Sequence, residues 1–378
     1  MKTRDVITLF LCGDVMTGRG IDQVLPHPSD PMLYESYVKD ARGYVRIAEK
    51  ANGPISKPVS YSYIWGDALD ELERVAPDVR IVNLETSVTT SDDYWRAKGI
   101  NYRMHPKNVP CLTAAHIDLC VLANNHVLDW GYPGLIDTLE TLQQAGLKTA
   151  GAGRDLTEAE APAILEIGEK RRVIVFSFGS PTSGVLPSWA ASEDRPGVNL
   201  LHDFSADSVR AIGEKVSEVN RQGDIVVLSI HWGGNWGYRI PAGEIEFAHS
   251  LIDNAGIDLI HGHSSHHVKG IEVYKGKPIL YGCGDFLNDY EGIGGYEEFR
   301  GDLSLMYFVS MDPSNGRLAG LEMTPTQTRN FRVHRASSLD AQWLRNTLNR
   351  EGAAFGTLLD VTEDDRLRIE VESIADSC

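Results

Sequence analysis

Eight short, almost uniformly apolar runs recur along the chain, at residues 6–11, 79–83, 119–122, 173–178, 225–230, 259–260, 279–281 and 303–309. A strand with one wet face alternates polar with apolar residues, so runs this short and this apolar are strands covered on both faces. Helices supply that cover, and segments 65–75, 134–144, 206–220 and 244–254 have the pattern for it. Val209, Ile212, Val216 and Val219 recur at helical spacing ahead of Gly223, as do Leu135, Leu139 and Leu142 ahead of Gly146. The fold class is therefore α/β, with helices packed on largely buried sheet.

The 378 residues, 42% apolar and 24% charged, give ample material for a core. They are read as one domain over 1–338, with 339–378 as an appendage packed on it through a helix at 341–349 and a strand at 366–371. Residues 26–63 hold Pro26, Pro28, Pro31, Pro54 and Pro58 among many tyrosines, which reads as an insertion or lid loop because strand signals stand on both sides.

Lys plus Arg total 36 against 53 for Asp plus Glu, a net charge of −17. Phosphate-backbone binders need clustered positive charge, so nucleic acid is excluded as an expected partner, and docking on anionic membranes is disfavoured. About 18 consecutive apolar residues would be needed to span a bilayer and nowhere occur, so no integral membrane segment is expected. The first apolar run is interrupted by Thr8 and ends at Gly13-Asp14, which suits a strand better than a signal peptide. Cys12, Cys111, Cys120, Cys283 and Cys378 form no C-x-x-C pair and lie mostly in apolar stretches, the pattern of free thiols in a reducing cytoplasm.

Function is written at the carboxyl ends of the runs, the edge where open α/β sheets bind ligands. Five polar clusters stand there: the stretch from Gly13-Asp14 to Gly18-Arg19, Asn83-Leu84-Glu85, Asn124-Asn125-His126, His231-Trp232-Gly233-Gly234, and Gly262-His263-Ser264-Ser265-His266-His267. Carboxylates, an amide and several imidazoles on one edge make a natural divalent-metal site, since His nitrogen and carboxylate oxygen suit Zn, Mn, Fe or Ni.

In this order, and with Gly151-Ala152-Gly153-Arg154 and the run Gly270 to Pro278, the clusters resemble the CapA family, named for capsule (poly-γ-glutamate) synthesis. The resemblance runs from about Asp5 to about Phe308. It implies the calcineurin-like metallophosphoesterase fold, two β-sheets in a sandwich flanked by helices. It further implies that Asp14 and His266 hold one metal, that Glu85 bridges, and that Asn125, His231 and His263 hold a second, with Mn, Zn, Fe or Ca as the ion and no organic cofactor. His126 would face substrate as general acid or stabiliser, oriented by Asp129. Met16 stands where such phosphoesterases usually carry a histidine, and Glu85 where they carry Asp; the lost nitrogen ligand predicts a weaker first metal site.

Each residue has a plainer alternative. Asp14 suits a turn, Glu85 a solvated strand end, Asn125 a helix cap, and His231, His263 and His266 satisfied core imidazoles. His261 is read as structural. Arg19 is expected to clamp a substrate carboxylate or phosphate, or else to form a surface salt bridge. Asp285 either orients a ligand or closes a turn, and Cys283 has no base in sequence that would make it a nucleophile. Three functions follow: metal-assisted hydrolysis of an amide, peptide (poly-γ-glutamate-like) or phosphoryl substrate, which is favoured; cofactor-independent epimerisation of a ribosomal, lasso-type peptide, with His126 and a histidine from 263–267 exchanging the proton; and a non-catalytic polymer-binding subunit. The expected partner is a peptide or polyanionic amide substrate.

Overall fold

The strand Ile7–Val15 sends successive side chains to two buried faces, and this alternation sets the architecture. Leu9 and Leu11 enter a cluster between two sheets, whereas Phe10 and Cys12 enter a second cluster under helices. The structure, a computed structural model, describes residues 6–96 and 98–369. Ile7–Val15 lies inside a ten-stranded sheet. On one side Val79–Leu84, Leu119–Val121 and Lys148–Ala150 follow in parallel, with Leu11 opposite Ile81 and Val82 opposite Cys120. On the other side Leu303–Asp312, Arg317–Arg329, Leu367–Ile369 and Leu359–Val361 follow antiparallel.

A six-stranded sheet faces it. Arg171–Gly179, Ile225–His231, Leu259–His263 and Lys277–Leu280 are parallel, edged by antiparallel Ala163–Ile167 and Ile271–Tyr274. Val173, Val175, Val227 and Leu259 of this sheet share one apolar cluster with Leu9, Leu11, Ile81 and Val121 of the other. Helices Arg42–Asn52, Ala68–Val75 and Gly131–Gln144 cover the outer face of the larger sheet through Tyr44, Leu72 and Leu139. Ala206–Val219 and Ala242–Asn254 cover the smaller one through Ile212, Val216 and Leu251. The fold is thus an α/β sandwich of two sheets flanked by helices, as expected. Burying one such aliphatic side chain stabilises the fold by about 1.5–3 kcal/mol, so the doubly covered strands contribute heavily to its stability.

All eight apolar runs are strands, and several extend further into the polar clusters than apolarity alone indicated. Ladder pairing continues through His231 opposite His263 and Asp14 opposite Asn83. The insertion is not all loop: Arg42–Asn52 is helical, with Tyr44, Val45 and Ala48 buried. Its charged residues and Gly43 had hidden the periodicity. The tail helix is Ser338–Gly352, and Leu344, Leu348, Leu359 and Leu367 all belong to the cluster between the sheets. Residues 370–371 of the expected tail strand, Cys378 and Asp5 lie outside the described residues. Among the described residues no helix is long and apolar enough to cross a membrane.

One glycine sets the site edge. A Cβ on Gly13 would lie 1.8 Å from the carbonyl oxygen of Gly284. Its absence lets Asp285–Leu287 pair in parallel with the end of Ile7–Val15, so Asp285 stands opposite Asp14.

Candidate metal centre and active site

The parallel strands end together, and their last residues meet over the edge of the sandwich. Asp14 is wholly buried. Its Oδ1 accepts from Asn83 Nδ2 at 2.7 Å and its Oδ2 from the Ser264 amide at 3.2 Å. His231 and His263, at paired ends of adjacent strands, bring their Nδ1 atoms to 2.8 Å, and His263 Nδ1 lies 3.8 Å from Asp14 Oδ1. One ligand atom from each of these three residues falls within 4.8 Å of the others, so the group could hold a metal ion.

The protonation of this group follows from its neighbours. His261 Nε2 lies 2.8 Å from the Cys12 carbonyl, which can only accept, so the proton sits on Nε2 and Nδ1 accepts from Ser229 Oγ at 3.1 Å. Ser229 Oγ then accepts from His263 Nε2 at 2.9 Å, which leaves His263 Nδ1 as a bare lone pair. Asn125 Oδ1, 3.1 Å from His231 Nε2, fixes that ring in the same sense. Two bare nitrogens therefore face each other beside a carboxylate and call for a cation. A proton is a poor one, because burial, and then the neighbouring imidazoles His126 and His231 respectively, hold His231 and His263 well below the ordinary histidine range. A divalent ion with nitrogen and oxygen ligands fits the donor set, and the Ser229 and Asn125 contacts are the outer hydrogen bonds that orient ligating imidazoles.

The other expected residues stand around this triad. Glu85 Oε1 lies 3.9 Å from His231 Nε2 and 3.7 Å from His126 Nε2, while its Oε2 is buried without a hydrogen-bond partner. Burial, reinforced by Asp14, pushes the Glu85 carboxyl well up, and burial followed by Asp285 pushes Asp14 up to about 7. Such crowding of buried carboxylates is relieved by a cation. His266 is engaged differently: Nδ1 donates to Asp285 Oδ1 at 2.9 Å and Nε2 faces Asn235 Nδ2 at 3.1 Å. Burial would lower His266, but Asp285 and Asp14 outweigh it and hold the ring above its ordinary value. Asp285 thus orients His266. Met16 is buried, with its sulfur 3.8 Å from Tyr290 Oη.

His126 packs edge-on against Tyr102, with ring centroids 4.5 Å apart. Its Nδ1 lies 2.5 Å from Asp129 Oδ2, and burial, outweighing the opposing pull of Asp129, brings it down to about 4. Asp129 is itself held by the Tyr102 amide at 2.6 Å and by Lys98 Nζ at 2.5 Å. Nε2 is left free on the side of Glu85. The sequence reading missed Lys98, Tyr102 and Ser229, since each lies outside the histidine and carboxylate patterns or acts only through a partner, and it gave Asn83, which stands in a strand-end cluster, no role of its own. Arg19 departs from its expected role. It is buried, with Nε and Nη2 on Asp289 and Nη1 on Glu35 and Tyr44, so its donors are spent within the protein. Burial also pushes the Cys283 thiol well up, as suits an inert core residue. A cavity of about 460 Å³ opens beside His266, walled by Asn235, Trp236, Tyr290 and Tyr296.

A family model described as "Bacterial capsule synthesis protein PGA_cap" matches residues 8–290. The chain belongs to this family. The capsule-synthesis resemblance read from the strand-end clusters is therefore borne out. A "Probable polyglutamine synthesis accessory protein" of Mycobacterium tuberculosis (strain H37Rv) is 51% identical over 364 residues, covering 96% of this chain and 95% of the relative. The "PGA biosynthesis protein CapA" of Bacillus subtilis (strain 168) is 27% identical over 322 residues, covering 85% and 71%. The "Capsule biosynthesis protein CapA" of Bacillus anthracis is 22% identical over 289 residues, covering 76% and 61%. Within the family match lie all the candidate metal ligands and the His126–Asp129 pair.

Proposed function

We propose that this capsule-synthesis family member is a metal-dependent enzyme of hydrolase type, acting on an amide or peptide bond of a polyglutamate-like polymer or on a phosphoryl bond. The observation that carries this reading is the pair of bare imidazole nitrogens beside Asp14, with the free Nε2 of His126 close by across Glu85. Asp14, His231 and His263 would hold the ion, with Glu85, Asn125 and His266 around it, and two imidazoles favour Zn, Mn or Fe over Ca. When bound, the ion supplies Lewis acidity toward a carbonyl or phosphoryl oxygen.

The protein's own residues handle the proton. Asp129 accepts from His126 Nδ1–H and so keeps the Nε2 lone pair toward the site, where it takes a proton from an attacking water and returns it to the leaving group. Lys98 holds Asp129 in place. The buried, unpaired Cys12, Cys111, Cys120 and Cys283 suit a reducing compartment, and we place the protein in the cytoplasm.

A second reading, peptide epimerisation, is favoured by a separate observation. Two carboxylate-oriented imidazoles are present, His126 on Asp129 and His266 on Asp285, as an exchange of one proton between two bases requires. Mass spectrometry in heavy water of peptide and polyglutamate substrates, incubated with metal-loaded protein, tests both. Shortened chains that vanish with His126→Gln support hydrolysis. Deuterium uptake without shortening supports epimerisation, and unchanged substrate in every case refutes both in favour of a binding role.

A further inference from the structure

We propose that the insertion helix Arg42–Asn52, with the turn before it, is a docking groove for a carboxylate-bearing chain, leading it to the cleft beside His266. This rests on the polymer chemistry proposed above but concerns residues that reading does not use. A groove of about 460 Å³ runs along this helix, with Lys39, Gly43, Arg46, Ile47 and Lys50 in its lining. Positions 43, 46, 47 and 50 share one helical face, so the two long cations project beside a floor of Gly43 and Ile47. All three cations are exposed.

The charge at this spot runs against the molecule as a whole, which carries −17. Asp40, the one carboxylate in the lining, is held by Arg42 through a contact of 2.6 Å. Among the described residues neither Arg46 nor Lys50 forms an ion pair, and Lys39 Nζ donates to the Glu35 carbonyl rather than to a carboxylate. The arginines of the cleft are not free in this way. Arg19 is committed to Asp289 and Glu35, and Arg300 to Asp302 and Asp340. Of the described Lys and Arg residues that line groove and cleft, those outside any ion pair are therefore Lys39, Arg46 and Lys50.

Groove and cleft are neighbours. Exposed Tyr37 lines both. The turn at Gly292 sits against the helix so closely that a Cβ there would lie 2.7 Å from Ile47 Cγ2. A cationic groove next to the cleft matches a flexible chain with carboxylates along its length, rather than a flat lipid surface.

Fluorescence anisotropy of a labelled oligoglutamate, titrated with the full chain, tests the groove. Three exposed ionic contacts at about 0.5 kcal/mol each predict that Lys39→Gln/Arg46→Gln/Lys50→Gln binds about tenfold more weakly, at an unchanged melting temperature. Binding of the native chain should also weaken as salt shortens the Debye length from about 30 Å to about 8 Å. In a His231→Ala background the triple substitution should cost the same factor, which separates the groove from the metal centre. The proposal is overturned if the triple variant binds like the native chain, if oligoglutamine binds as tightly as oligoglutamate, or if phosphatidylglycerol vesicles are bound and oligoglutamate is not. Failure of the hydrolase reading would show separately, as bound oligoglutamate that is never shortened.

Discussion

If the two facing imidazole nitrogens and Asp14 form a cation site, a divalent ion should stabilise the chain by an amount fixed by mass action. At a free ion concentration one hundred times the dissociation constant, binding only to the folded state adds about 2.7 kcal/mol. Unfolding entropy is about 2.1 cal/mol/K per residue, so the whole chain has about 0.8 kcal/mol/K and should melt about 3 °C higher with ion than after chelation. Zn and Mn are the ions to try, by differential scanning fluorimetry and calorimetry. His231→Ala removes one of the three ligands and should abolish the shift. Asp14→Asn should also abolish it, and for a separable reason. Asp14 is buried with Asp285 as its like-charged neighbour, so neutralising it relieves repulsion in the metal-free protein. The one hydrogen bond that an amide oxygen cannot keep costs about 1 kcal/mol, comparable with the repulsion removed. The chelated Asp14→Asn chain should therefore melt within about 2 °C of the chelated native chain. A lost shift then reports a lost ligand and not a damaged fold. The reasoning is refuted if Asp14→Asn and His231→Ala keep the full shift, or if no ion shifts the native chain.

Other parts of the structure make equally definite predictions. Asp129→Ala leaves Lys98, the Tyr102 amide and His126 Nδ1 without their common acceptor, and should cost about 3 kcal/mol in a urea titration as well as any turnover that depends on His126. Gly13→Ala drives a methyl into Gly284 and should part Asp14 from Asp285, removing the metal-induced thermal shift and costing about 3 kcal/mol. Glu71 holds the tail through Arg366 at 3.0 Å and pairs with Arg74 of its own helix at 2.9 Å; burial opposes its ionisation, but these arginines prevail and keep its carboxyl below the ordinary range. That contribution is fully present above the unfolded value near 4.5 and fades as pH falls through the lower folded value, so Glu71→Gln should lower stability at pH 7 and flatten the acid limb of a stability profile measured by denaturant unfolding.

What could be read from the sequence follows from which physical signals are local. A strand buried on both faces advertises itself by composition, and the apolar runs 225–230 and 259–260 needed no tertiary information, whereas their extension into His231 and His263 did. The site residues were legible for a related reason: a histidine directly after such a run has to stand at the sheet edge. Arg42–Asn52 was obscured because three small or aromatic contacts among charged residues make a weak period. Arg317–Arg329 was missed because Thr324, Thr326 and Thr328 look like an exposed face, although all three are buried. Lys98 and Ser229 illustrate a deeper limit. Each acts by holding another side chain, across 31 residues to Asp129 in one case and 34 to His263 in the other, and no local pattern marks such a pairing. Arg19 shows the converse error. Its position after Gly18 in a strand-end loop suggested substrate, but two buried carboxylates, Glu35 and Asp289, had already claimed its charge.

The division between parallel and antiparallel strands explains where chemistry can arise in this fold. Parallel neighbours all end on one side, so Asp14, Glu85, His231 and His263 converge without any loop having to reach far. Antiparallel neighbours end on alternate sides, and Leu303–Asp312, Arg317–Arg329 and the tail strands supply none of the candidate ligands while adding Leu305, Leu321, Met323 and Leu367 to the core. The antiparallel half can therefore be varied for stability with the ligand edge intact, whereas a one-residue slip between Ile225–His231 and Leu259–His263 would turn one imidazole to the opposite face of the sheet. The narrow requirement is register, and Ser229 enforces it twice, by bonding His261 on one side and His263 on the other. Ser229→Ala should then leave the sheet folded but free His263 to take either tautomer, weakening metal retention by about 10-fold to 100-fold as measured by competition with a chelator. Unchanged retention would show that strand pairing alone, without the serine relay, sets the lone pair toward Asp14.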